Sequence, residues 1–290
     1  MKKNIVHGDE NVRLSVREYP AENKPTVVLI HGYPDDQTVW DGVIAELRDQ
    51  YHLITYDVRG IGESDIPSRV RDYKHQKLAA DFVAVLDALA PNEKVHLVGH
   101  DWGSVQSWYF VNQPYIAKRI ASYTSISGPG LDYAGHLMRR KLSRPTPKNL
   151  WAVIKQLLMS WYTFAFHIPL LGPFPWRLGL AGHWFKVVSW LEGKPVKKRP
   201  TQKADAINGM QLYRANILPS LFKPQPFKVT VPVLLIVPQQ DRFLSPSTYD
   251  DLPVFVRQLQ RVSVTGGHWL PLSQPELLAG QVNSFIQQQG

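Results

Sequence analysis

Apolar residues fall along this chain in two kinds of run. Short stretches rich in β-branched and aliphatic residues occur at Val12–Val16, Thr26–Ile30, His52–Tyr56, Val95–Val98, Ala121–Ile126, Val231–Val237 and Arg261–Val264. Two of them, Val27-Val28-Leu29-Ile30 and Val233-Leu234-Leu235-Ile236, have no polar face at all. A strand covered on both sides reads this way, as in a parallel sheet packed between helix layers. Helical spacing separates several of these runs, notably over Trp40–Leu47 and Leu78–Leu89. The alternation predicts an α/β fold built on a mostly parallel central sheet. It stops between residues 132 and 213, where longer aromatic stretches are broken by Pro145, Pro147, Pro169, Pro173, Pro175, Pro195 and Pro200. This segment is expected to be a helical cap inserted into a core made of residues 1–131 and 214–290.

Length and composition narrow the class. A chain of 290 residues with 44% hydrophobic content buries a large core and suits one domain with an insertion. There is no cysteine, which excludes disulfides, thiolate metal sites and a cysteine nucleophile. The N-terminus, MKKNIVHGDENVRLSV, turns polar at once instead of giving the apolar core of a secretory signal, and no long uncharged apolar span suggests a membrane helix. The expected location is the cytoplasm.

Charge is unevenly placed. Residues 137–203 carry 13 Lys or Arg against one acid, Glu192, so this stretch is +12 while the whole chain is +9. It also holds Trp151, Trp161, Trp176, Trp184 and Trp190, five of the nine tryptophans. Basic residues interleaved with aromatics suit either a lid solubilised by lysine and arginine, or peripheral contact with an anionic membrane. Nucleic acid is not expected as a partner, because no binding module accompanies the charge. Nothing in the sequence fixes an oligomeric state.

The chemistry is carried by LVGHDWGS at 97–104. An apolar strand runs into Gly99, a polar triplet, Gly103 and then helical spacing. A nucleophile elbow needs small residues two before and two after the reactive side chain, because the turn brings backbone atoms too close for a Cβ. Here the residue at the tip is Asp101 where a hydrolase would normally carry serine. Ligands of open parallel sheets sit beyond the carboxyl ends of the strands. Three further polar clusters follow strands: His31-Gly32-Tyr33-Pro34, Pro238-Gln239-Gln240-Asp241 and Thr265-Gly266-Gly267-His268. The order nucleophile, acid, histidine suggests a triad of Asp101, Asp241 and His268, with Asp132 as a rival orienting acid. A cis bond is a reasonable expectation before Pro34.

Taken together, HGYP at 31–34, DVRGIGESDIP at 57–67, GHDWGS at 99–104, PQQDRFLSP at 238–246 and GGHW at 266–269 resemble an α/β-hydrolase of the epoxide hydrolase and haloalkane dehalogenase branch, over nearly the whole chain. The resemblance assigns Asp101 as nucleophile, Asp241 as the acid that orients His268, and His268 as the base that activates water. A carboxylate attacks saturated carbon and leaves an alkyl-enzyme ester, which ordinary ester hydrolysis then opens. The oxyanion formed on the way needs donors, for which the backbone N–H groups of Tyr33 and Trp102 are candidates.

The leaving group separates the two activities. An epoxide oxygen needs a proton or a strong hydrogen bond, whereas a halide leaves without one. SWYTFAFHIP at 160–169 and GMQLYRAN at 209–216 resemble the cap segments that carry the two tyrosines of epoxide hydrolases, which places that role on Tyr162 and Tyr213. Tyr33 stands where a dehalogenase of this branch has a halide-binding Asn or Trp, so epoxide opening is the expected activity, with haloalkane dehalogenation and a non-catalytic ligand binder as alternatives. His31, Trp102, Trp161 and Trp269 are expected to line the substrate site. The aromatic cap suggests a small lipophilic epoxide as substrate; no cofactor or metal is expected. Some relatives are joined to an oxidoreductase domain, for which 290 residues are not expected to leave room.

Overall fold

The computed structural model describes residues 1–289. Eight strands form one sheet: β1 (Lys2–His7), β2 (Arg13–Tyr19), β3 (Thr26–Ile30), β4 (His52–Tyr56), β5 (Val95–His100), β6 (Ile120–Ile126), β7 (Val233–Pro238) and β8 (Leu259–Val264). Their spatial order is β1-β2-β4-β3-β5-β6-β7-β8. The pairs β1–β2 and β2–β4 are antiparallel, and every other neighbouring pair is parallel. Strand β1 is the one the sequence did not announce. Only Val6 of its residues is buried, so this edge strand has no apolar face to read.

The helices are α1 (Asp41–Leu47), α2 (His75–Leu89), α3 (Trp102–Val111), α4 (Pro114–Ala117), α5 (Leu131–Ser143), α6 (Pro147–Met159), α7 (Trp161–His167), α8 (Ala181–Glu192), α9 (Gln202–Phe222), α10 (Leu270–Ser273) and α11 (Pro275–Gln287). Two cores sandwich the sheet. On one face Val28, Ile30, Ile54 and Leu97 meet Leu78, Phe82 and Val85 of α2; on the other Val27, Leu29, Leu53, Val98 and Ile236 meet Val43 of α1 and Val282 of α11. Alternate residues of one strand thus enter different cores, which is why Val27–Ile30 of β3 and Val233–Val237 of β7 are apolar.

Helices α5 to α9 lie between β6 and β7 and make up the inserted region. α9 runs unbroken from the insertion to Phe222, past residue 213 where the sequence suggested the core resumes. None of the helices is long and apolar enough to cross a membrane. Buried ion pairs tie the layers together. Arg59, in the loop after β4, makes a bidentate pair with Asp81 of α2 (2.6 Å for both contacts) and both side chains are shut away from solvent. Arg199, just before α9, meets Asp36 at 2.7 Å and Asp205 at 3.2 Å, fastening the insertion to the loop after β3.

Candidate active site

Asp101 follows β5 directly and precedes α3, with φ +50 and ψ −119, a backbone conformation that L-residues rarely adopt. The turn closes because its flanks lack side chains. A Cβ on Gly99 would lie 2.6 Å from the Gly103 carbonyl oxygen, and a Cβ on Gly103 would overlap the carbonyl of Ile30. The elbow therefore presses against the end of β3, and this contact brings the loop after that strand to the carboxylate. The Tyr33 N–H donates to Asp101 Oδ1 at 2.6 Å. Trp102 N–H, the other expected donor, starts α3 without a hydrogen bond to that carboxylate. The Tyr33–Pro34 peptide is cis.

His268 lies beyond the end of β8. Its Nε2 stands 3.4 Å from Asp101 Oδ2, and its Nδ1 lies 2.8 Å from Asp241 Oδ2. Asp241, after β7, is itself fixed by N–H bonds from Phe243 (2.7 Å) and Leu244 (3.0 Å) to its Oδ1. Asp132 is elsewhere: on α5 it accepts the Gln225 N–H at 3.0 Å and makes no contact with His268. Of the two rival acids, the structure brings Asp241 to the histidine.

The electrostatics follow from burial and these contacts. Burial acts to lower the pKa of His268, but Asp241 and Asp101 outweigh it and hold the imidazole up at about 10. Burial likewise acts to raise Asp241, yet the charge and hydrogen bond of His268 keep it below its ordinary value. The neighbouring His100 is pushed down to about 4, chiefly by burial and also by His268, so it is neutral. Its Nε2 donates to the His268 carbonyl at 2.8 Å and props the loop that carries the base. Sequence inspection gives His100 no special standing, because its role depends on a partner 168 residues away.

A cavity of about 510 Å³ opens above Asp101, walled by Tyr33, Tyr162, Phe166, Trp176, Tyr213 and Trp269 among others. A smaller one of about 160 Å³ continues on the other side, past Trp102 and Leu131 toward α5. Asp101, His268, Tyr162, Tyr213 and Phe243 line both, so the carboxylate sits where the two arms join. Tyr162 comes from α7 and Tyr213 from α9, with ring centroids 6.3 Å apart. Tyr213 also packs edge-on to Trp102 (4.8 Å) and Tyr33 (5.1 Å). Burial, together with Asp101, raises the pKa of both Tyr162 and Tyr213, which keeps the two phenols protonated near neutrality.

Two further expected residues reach the cavity. Trp161 sits at its mouth, 66% exposed. Trp269 contributes its ring to the wall while its indole N–H is held by Asp35 Oδ2 at 2.7 Å. His31 does not belong with them, which corrects the expectation that it binds substrate. It is fully buried, lines neither arm, and accepts the Val58 N–H at its Nε2 (3.0 Å), so it ties the loop after β3 to the loop after β4. Sequence reading also missed Glu192, the lone acid of the basic stretch. At the end of α8 it accepts the Trp269 N–H (3.0 Å) and the Ser273 hydroxyl (2.8 Å), clamping the inserted helices onto the segment that carries His268.

A family model described as alpha/beta hydrolase fold matches residues 25–275. The protein named "Probable oxidoreductase EphD" from Mycobacterium tuberculosis is 34% identical over 288 residues, 97% of this chain and 49% of that protein. The chain thus spans about half the length of that relative. "Epoxide hydrolase 4" of Mus musculus is 25% identical over 296 residues, 97% of this chain and 78% of the relative. Among solved structures, an epoxide hydrolase from Bacillus megaterium in complex with an inhibitor superposes with a TM-score of 0.78 at 18% identity, covering 99% of this chain and 100% of that one.

Proposed function

Since the chain belongs to the alpha/beta hydrolase fold family and is epoxide hydrolase-like within it, we propose that it opens an epoxide to a vicinal diol through a covalent ester on Asp101. The observation that carries this reading is the pair of phenols, half-buried Tyr162 and buried Tyr213, lining both cavity arms together with a carboxylate at the elbow. Asp101 Oδ1 is occupied by the Tyr33 N–H, so Oδ2 is the attacking oxygen. It forms a bond to a ring carbon in line with the breaking C–O bond. The departing oxygen takes a proton from one tyrosine hydroxyl while the other donates a hydrogen bond.

The second step uses the charge that the first removes. In the free enzyme both Asp241 and Asp101 favour the protonated imidazole of His268. Esterification neutralises Asp101 and ends its contribution, so the pKa of His268 falls and the imidazole becomes a base only once there is an ester to hydrolyse. His268 Nε2 then takes a proton from water, whose oxygen attacks Cγ of Asp101. The oxyanion grows on the oxygen facing the Tyr33 N–H, with Trp102 N–H as the second donor. Collapse breaks the bond between Cγ and the alkyl oxygen, which takes the proton of the newly formed Asp101 carboxyl group and leaves as a hydroxyl of the diol, restoring the carboxylate. His268 thereby regains the protonated state of the free enzyme, the proton it gave up on esterification of Asp101 having passed through solvent to the tyrosinate, and Asp241 keeps the ring in its working tautomer throughout.

A single turnover in heavy-oxygen water with enzyme in excess tests this reading, using a panel of aryl and long-chain epoxides. The label is expected in the Asp101 carboxylate and not directly in the diol, intact-protein mass spectrometry should catch a substrate-mass adduct, and Asp101→Asn should form neither. Direct labelling of the diol would overturn the ester mechanism, and release of chloride or bromide without turnover of any epoxide would make the protein a dehalogenase.

A further inference from the structure

Helix α6 is inside out. A surface helix ordinarily turns its apolar stripe to the core and its polar side to water. In α6 no residue is buried, and the side chain that reaches the hydrolase core is Gln156. Its Oε1 accepts the Ser245 N–H (3.1 Å) and the Thr248 hydroxyl (2.9 Å), and its Nε2 donates to the Phe243 carbonyl (3.1 Å). The outward face is apolar: Leu150, Ile154 and Leu158 stand in line at four-residue steps with Trp151 beside them, Trp151 at 62% and Leu158 at 64% exposure. The stripe continues through Trp161 into the loop after α7, where Leu170 is 78% exposed. A contiguous apolar surface of this kind marks an interaction site.

Two more observations say what it meets. Of the 13 basic residues between 137 and 203, Arg140 and Arg199 pair with carboxylates, and the others have no acidic partner among the described residues. Lys148 and Lys155 flank the stripe on α6 itself, and a pocket of about 270 Å³ beside the start of that helix is lined by Arg140, Lys141, Arg144 and Asn149 with one acid, Asp251. Leu158, Trp161 and Leu171 line the large cavity and are each at least half exposed, so the apolar face surrounds the cavity mouth.

We propose that this face docks on an anionic lipid bilayer, with the apolar side of α6 sunk at the level of the headgroups, the free lysines and arginines around it against lipid phosphates, and the cavity mouth opening into the membrane surface. Interfacial helices combine these features, an apolar face with tryptophan beside a basic rim. A second copy of the chain is the poorer occupant, because a two-fold contact through this face would bring two segments of charge +12 together. That the docked cavity draws a lipophilic epoxide from the bilayer rests on the function proposed above. The docking does not, and it is tested without substrate.

The full chain is floated with phosphatidylcholine vesicles, with or without phosphatidylglycerol as about a third of the lipid, at low salt and at about 0.5 M salt, where the Debye length shrinks to about 4 Å. Binding is expected to the anionic vesicles, about tenfold or more weaker on pure phosphatidylcholine, and reduced by salt. Trp151→Ser with Ile154→Ser, and separately Lys148→Glu with Lys155→Glu, should each weaken binding by about tenfold or more. These side chains pack in no core, so circular dichroism and melting temperature should match the wild type. No flotation with anionic vesicles at low salt overturns the proposal, as does flotation that neither double variant weakens. A concentration-dependent dimer in sedimentation, broken by the apolar double variant without any vesicle binding, would make the face a subunit interface instead.

Discussion

Replacing Glu192 by alanine isolates how much of the site depends on the clamp between the inserted helices and the histidine loop. The carboxylate accepts from Trp269 N–H at 3.0 Å and from the Ser273 hydroxyl at 2.8 Å, both at part-buried positions. A hydrogen bond to a charged group contributes about 1.5–3 kcal/mol when its loss strands a buried donor. Here the Trp269 N–H is stranded, whereas the Ser273 hydroxyl keeps the Trp269 carbonyl as an acceptor at 3.1 Å, so about 2 kcal/mol in total is the reasonable expectation. For a chain of this size that lowers the melting temperature by roughly 3–4 °C. The consequence for turnover is more specific. Trp269 follows His268 directly, so freeing its N–H loosens the base against Asp241 and Asp101 while leaving Asp101 itself in place. Ester formation should therefore survive and ester hydrolysis slow, so that the alkyl-enzyme accumulates in rapid-quench mass spectrometry and kcat falls by about tenfold or more. Glu192→Gln keeps one acceptor oxygen and should lie between. Unchanged stability and an unchanged steady-state level of adduct in Glu192→Ala would refute the reasoning, since the clamp would then hold nothing.

Tyr162→Phe and Tyr213→Phe should each lower epoxide turnover by about 10² through loss of acid assistance, measured as single-turnover adduct formation; unaffected adduct formation in both would remove the tyrosines from the mechanism. Stability should depend on pH through the His268–Asp241 pair: the histidine, raised from 6.5 to about 10 in the fold, contributes fully below 6.5 and loses that contribution as pH climbs toward 10. Asp241, held low in the fold, contributes above the ordinary carboxylate range and loses it as pH falls. Melting temperatures of the wild type should therefore decline from pH 6.5 to 10 more steeply than those of His268→Gln, and parallel declines would contradict the pairing. Arg59→Ala leaves Asp81 buried without its bidentate partner and should cost about 3–5 kcal/mol in urea unfolding, whereas a loss below about 1 kcal/mol would mean that water reaches the gap.

How much was legible in the chain depended on the range of the interaction involved. The elbow is a local device: Gly99, Asp101 and Gly103 sit within five residues, and a steric rule at that scale can be read without a fold. The two-sided strands β3 and β7 are equally local, since burial on both faces favours an unbroken apolar run such as Val27–Ile30 or Val233–Val237. Strand β1 escaped because an edge strand with one buried residue writes no such pattern. The arms of the site were partly legible through motif order, yet order alone left Asp132 and Asp241 as competitors.

The sequence by itself determined the α/β sheet, the carboxylate elbow and the concentration of positive charge in the insertion, because each is set by residue type and spacing within one segment. Only the tertiary structure decided which acid meets His268, that His31 is a buried prop, that Glu192 clamps the cap, and that the apolar side of α6 faces outward. Those outcomes depend on which distant segments are pressed together, and a helix's apolar stripe has the same spacing whether it faces a core or the surroundings.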